Sequence, residues 1–165
     1  MRWTALASIL TSGVLLAQLP KPADVVAAKA VEKVPELPKA LDGVWLPTSL
    51  ESLGAEQLKD DVKEGLRLSI EKGQHKLYFL TDPVKMLGQR VSASNFTVDE
   101  KAGTFELEIT EGQSKGTKVH GLFEVKGDEL KLCYGPADKE RPKAFASSKE
   151  QPGVFNETWT RYKKK

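Results

Sequence analysis

The sequence predicts an all-β domain of about eight antiparallel strands closed into a barrel or sandwich, with one short helix after the first strand. Three observations carry that expectation. From Leu41 onward apolar residues recur mostly with a period of two. The connectors between these runs are rich in residues that tolerate positive φ. The runs follow one another at short, regular spacing, the pattern of a sheet closed on itself or of two packed sheets.

Taken in order, Leu41-Asp42-Gly43-Val44-Trp45 opens the domain. A helix is expected from Ala55 to Glu64, where Leu58 and Val62 share a face and Gly65 stands as the terminating C′ residue. Leu66, Leu68 and Ile70 then alternate with Arg67 and Ser69, and Leu77 and Phe79 alternate with Lys76 and Tyr78. Phe105, Leu107 and Ile109 alternate with Glu106, Glu108 and Thr110. Val119, Gly121, Phe123 and Val125 alternate with His120 and Glu124, and Leu130 and Leu132 alternate with Lys131. Each run buries one face and wets the other, as antiparallel strands do. Lys72-Gly73, Lys101-Ala102-Gly103, Glu111 through Gly116 and Lys126-Gly127-Asp128 supply the turns. The predicted interior is Leu68, Phe79, Phe96, Leu107, Phe123, Leu132 and Trp159. An eight-stranded barrel holds its own side chains or one small ligand, so this bulky set implies a mostly filled core with a shallow site at one open end.

The chain has 165 residues, enough for one such domain with a leader. Residues 1–19 read as a signal peptide or N-terminal anchor: Arg2 precedes the apolar stretch Trp3 to Leu19. No cysteine follows that stretch, which argues against a bacterial lipoprotein anchor. Residues 20–40 carry Pro20, Pro22, Pro35 and Pro38 and read as an extended tether. Residues 41–165 are then the folded domain, in an extracytoplasmic location: periplasm, envelope or secreted. With 25 basic and 23 acidic residues the net charge is +2, which gives no pull toward nucleic acid. A membrane enters only through an uncleaved N-terminal segment. Cys133 is the only cysteine, so no intrachain disulfide forms. Its place in Leu130-Lys131-Leu132-Cys133-Tyr134 gives it the role of a buried small hydrophobe.

Several blocks also carry a resemblance. They are Leu41 to Trp45, Thr110-Glu111-Gly112, Lys115-Gly116-Thr117, Gly121 to Val125, Gly127 to Cys133, and Lys139-Glu140-Arg141-Pro142 with Phe145. This ordered set resembles an uncharacterised, lipocalin-like domain family expanded in planctomycete bacteria. The resemblance implies an extracytoplasmic β-barrel-like domain and supplies no catalytic residues. Gly43-x-Trp45 further resembles the start of lipocalins, in which the tryptophan plugs the closed end and a late arginine packs across its ring. Arg161 stands where that arginine falls. A guanidinium over an indole contributes about 0.5–2 kcal/mol, and its fork can bond carbonyls at the barrel's end.

The remaining candidates for chemistry read more simply as structure. Gly112-Gln113-Ser114-Lys115-Gly116 matches a nucleophile-elbow pattern, but strands flank it where a strand-turn-helix context is needed. His75 and His120 lie on different strands, without the close ligand spacing of a metal site. Glu106 and Glu108 share the solvent face of their strand. Arg141, with Phe145 in the same loop, reads as a latch on backbone carbonyls or as a contact for an anionic ligand. Asn95-Phe96-Thr97 and Asn156-Glu157-Thr158 match the glycosylation pattern, which carries no meaning in the bacterial source that the resemblance implies. The expectation is an exported, non-catalytic lipocalin-like domain without cofactor or metal. It binds a small apolar ligand at the open end or, alternatively, serves as a tethered structural or protein-interaction module that meets an envelope protein.

Overall fold

The computed structural model describes residues 37–82 and 87–163. The expected leader and most of the expected tether lie outside these residues. Nine strands and one short helix follow in order: β1 (Gly43–Ser52), β2 (Ala55–Glu56), α1 (Asp60–Gly65), β3 (Leu66–Glu71), β4 (Gln74–Asp82), β5 (Leu87–Asp99), β6 (Thr104–Ile109), β7 (Lys118–Lys126), β8 (Glu129–Tyr134) and β9 (Phe155–Arg161). Every pairing is antiparallel, running β1-β3-β4-β5-β6-β7-β8-β9, and β9 returns to pair with β1. Eight strands therefore close into one barrel, and the two-residue β2 is an appendage on the end of β1.

The register defines two ends. At the closed end lie the start of β1, the end of β9 and the turns β3–β4, β5–β6 and β7–β8. Two of these turns are two-residue hairpins. Lys72 and Gly73 both take positive φ, at 50° and 75°, which matches the twist of the flanking strands. Gly127 takes φ 59° in the other. At the open end lie the α1 segment, the 110–117 hairpin loop and the long 135–154 connection.

Inward parity builds the core. Leu41, Trp45, Leu68, Ile70, Phe96, Phe105, Leu130, Leu132 and Trp159 are all sealed from solvent. The packed part reaches back to Leu37, which rests against this core, so residues 37–40 belong with the domain and not with a tether. Gly121 faces inward on β7 opposite Phe105 and Tyr134. A Cβ there would stand 2.3 Å from the Phe105 ring and 2.6 Å from the Cys133 carbonyl, so the missing side chain is what lets the phenyl ring lie over β7. Bulges break the alternation at three places, one of them between Leu80 and Asp82 of β4. Thr48 is the extra residue in β1 beside Pro47, where a residue without an N–H donor is tolerated. Val91 is the extra residue in β5, and it projects outward at 62% exposure.

Two expectations need correction. The helix does not start at Ala55. Leu53 and Gly54 take positive φ, 55° and 71°, and fold Ala55–Glu56 back as β2, leaving α1 only Asp60–Gly65. Gly65 is no C′ residue: it is the last helical residue, buried, and a Cβ on it would meet the Phe79 ring at 2.8 Å. Phe79 in turn is not sealed inside. It pairs with Leu66, the first residue of β3, at the rim and remains 39% exposed, with Gly65 of α1 against its ring.

Replacing Gly121 with alanine is expected to cost about 1–3 kcal/mol by overpacking. Gly112→Ala, where nothing lies within 4 Å but φ is 83°, should cost only about 1 kcal/mol of backbone strain. Urea midpoints of the two variants check the difference, and equal losses would remove the packing role given to Gly121.

Candidate functional site

The closed end is assembled from residues distant in sequence. β1 and β9 pair so that Trp45 stands opposite Arg161. The Arg161 guanidinium lies 4.1 Å from the Trp45 ring centroid and donates to the carbonyls of Asp42 and Ala40. Trp45 Nε1 donates to the Leu41 carbonyl at 3.1 Å, so the buried indole has its partner. Gly43 takes φ 141°, and a Cβ there would lie 2.6 Å from Arg161 Nη1. The Gly-x-Trp spacing thus has a local cause: glycine leaves the path for the guanidinium that covers the indole two residues on. Arg161 also faces Asp128 of the β7–β8 turn at 3.6 Å, which ties a third strand junction to the plug.

The open half is different. Leu50, Leu66, Leu77, Ile109, Val119 and Phe155 face inward by register, yet all are only half-buried. Inward-facing side chains that still touch solvent give the mouth an apolar, partly open lining (the cup), whose Leu66, Leu77 and Val119 pack on the sealed core. Below it most of the interior is sealed; the exceptions, Val98 and Val125, lie near the closed-end turns.

Polar groups stand inside this apolar wall. Glu157 faces inward on β9 and is buried. Tyr134 Oη donates to its Oε1 at 2.6 Å and Trp159 Nε1 donates to its Oε2 at 3.0 Å. Burial pushes the Glu157 carboxyl above the usual carboxylate range. Burial, then the neighbouring Glu157, holds the Tyr134 phenol well above its ordinary value. His75 faces inward on β4 opposite Ile70 and Ser94. Its Nδ1 is buried without a hydrogen-bond partner, an arrangement that costs about 1–3 kcal/mol. An aromatic chain links the two polar groups. His75, Phe96, Phe105, Tyr134 and Phe155 follow one another with ring centroids 5.9, 5.4, 6.3 and 5.6 Å apart.

The other candidates from the sequence lie elsewhere. Cys133 points away from the barrel interior but is sealed by the 135–154 connection. Its thiol donates to the Ala144 carbonyl at 3.3 Å, and burial raises its pKa, so it packs as a small hydrophobe and not as a thiolate. Arg141 is exposed, beside Thr104 and Glu106 in a surface depression. It is therefore no buried latch: the loop around it stays outside the barrel wall. Phe145 is 38% exposed and lines an outer groove with Leu122 and Lys101. Ser114 sits in the exposed β6–β7 hairpin loop with strands on both sides. Glu106 lies on the outer face with Lys118 at 2.7 Å and His120 at 3.5 Å. Among the described residues no cluster of three or more His, Cys, Asp or Glu is placed to hold a metal, and no helix is long and apolar enough to cross a membrane.

Sequence reasoning passed over Glu157 and Tyr134 as a pair. The available signal was parity: Phe155, Glu157 and Trp159 share one face of β9, which sets a carboxyl on an apolar side. Neither a family model nor a curated protein matches this chain.

Burial lowers the His75 pKa from 6.5 to about 4, so the folded protein holds a neutral imidazole. The unfolded chain binds the extra proton first. Stability is therefore full above about pH 6.5 and falls as pH drops toward 4, by about 3 kcal/mol over the whole window. Glu157 works in the opposite sense: its stabilisation is present below 4.5 and is lost as pH rises through its raised folded value. Denaturant titrations from pH 7 to 4.5 should show the His75 loss in the parent chain and a flatter profile in His75→Leu. An unchanged slope in the variant would assign the loss to other groups.

Proposed function

We propose that this chain is an exported, non-catalytic lipocalin-like domain that takes one small apolar ligand in the open half of its barrel. The observation that carries this reading is the contrast between the two halves: inward-facing apolar side chains keep contact with solvent around the mouth and are mostly sealed below it. A ligand entering the cup removes that apolar surface from water, worth about 25 cal/mol per Å². The bulky floor of Phe96, Phe105 and Trp159 limits it to a small molecule held near the mouth. Export rests on the Arg2 to Leu19 segment, and membership of the planctomycete lipocalin-like family rests on the residue blocks from Leu41 to Phe145.

A second reading, a tethered module that meets an envelope protein, is favoured by one feature. The outer groove, about 490 Å³, runs beside β7 and the β5–β6 turn, and the exposed Phe145 ring lies on its wall. A specific partner captured from an envelope extract and lost on Phe145→Ser would support it; capture that ignores the substitution would remove it.

The cup is tested directly. An environment-sensitive apolar dye should bind the full chain at one site, and Val119→Phe, which fills the cup, should weaken binding about tenfold or more. Native mass spectrometry of protein from its host should show a retained small molecule. A chain that binds no dye and carries no ligand would sink the proposal.

A further inference from the structure

We infer that the open cup selects an apolar molecule carrying a protonated amine over the corresponding alcohol and carboxylate. The inference rests on the ligand-binding reading above and names the head group. It follows from an inventory of the ionisable groups that face inward. Among the described residues, His75, Tyr134, Glu157 and Arg161 are ionisable and face inward by register. Arg161 belongs to the plug. It lies four residues further along β9 than Glu157, about 13 Å at 3.3 Å per residue, and its fork is committed to the Ala40 and Asp42 carbonyls over Trp45. His75 is neutral near pH 7 and offers no charge.

Among the described residues Glu157 therefore has no cation beside it. Its two hydrogen bonds come from the phenol of Tyr134 and the indole of Trp159, both neutral donors. Both donors point at the carboxyl oxygens, each of which can accept more than one hydrogen bond, so acceptor capacity remains. A buried carboxyl without a counter-charge beneath an apolar cup favours a ligand that brings the positive charge with it, because the ammonium stabilises the ionised form against burial. Tyr134 lies one step nearer the mouth than Glu157 and stacks on Phe155 at 5.6 Å, and aromatic faces there attract an ammonium on its way in. A carboxylate head would meet Glu157 with no inward cation near it, and an alcohol would gain only a neutral donor.

Displacement of the apolar dye from the full chain at pH 7.5 tests this with decylamine, decanol, N-decylacetamide and decanoate, all below their micellar concentrations. Decylamine should compete on the order of tenfold more tightly than decanol or the amide, as a charge-assisted hydrogen bond exceeds a neutral one, and decanoate should be weakest. Glu157→Gln should bring decylamine to the level of decanol while leaving decanol unchanged. The order in the parent chain decides the matter even where that variant folds poorly. Equal affinities, or decanoate as the tightest ligand, would overturn the head-group inference while leaving the cup intact. Failure of every probe to displace the dye, together with absence of dye binding, would instead remove the cup itself.

Discussion

The guanidinium of Arg161 lies across the Trp45 indole and reaches the carbonyls of Ala40 and Asp42 at the start of the domain. That contact joins the last strand to the first at the point where the barrel closes. A sheet with free edges exposes unpaired backbone groups, and closure removes them. The β1–β9 ladder supplies the hydrogen bonds of closure, and the cation over the ring seals the end of it. Gly43 is bound to the same event, because any side chain there would occupy the guanidinium's path. The indole would otherwise end the barrel with one face open to water.

Plugging one end makes the two halves unequal. Below the middle, Trp45, Trp159, Phe96 and Phe105 fill the lumen, with Gly121 leaving the gap that the Phe105 ring occupies. Above it smaller side chains such as Leu50, Leu77 and Val119 face inward and are only half-buried, with Leu77 and Val119 resting on the core below. The 135–154 connection covers the outer face of β8, which is why Cys133 is sealed while pointing away from the core. Polar groups inside this arrangement are expensive, and they occur at only a few inward positions. Among the described residues Glu157 is offset by two donors and lacks a counter-charge, whereas His75 escapes the cost of charge by staying neutral.

Much of this is legible from residues alone. The alternation from Leu66 to Leu132 gives the antiparallel strands, and the Lys72-Gly73 and Gly127-Asp128 pairs give their hairpins. Gly43, Trp45 and Arg161 mark the plug. The α1 boundaries were not legible, since Leu53-Gly54 makes a tight turn with a leucine at positive φ, where propensity argues against one. The exposure of Phe79 depended on where β3 begins, and that of Arg141 on a loop without periodicity. The bulges at Thr48 and Val91 shift register without a distinctive residue to announce them.

The sequence by itself determined which side chains share a face, because a strand's parity is a local property with a period of two. It also determined the turn positions and, through Gly43-x-Trp45, the plug's local geometry. Only the tertiary structure decided which inward positions are sealed and which stay open, since that depends on side chains meeting across the lumen from strands far apart in the chain. The same holds for Glu157: its parity is written in β9, but the lack of a cation beside it among the described residues is a property of the closed barrel, where Arg161 is drawn to the far end by Trp45.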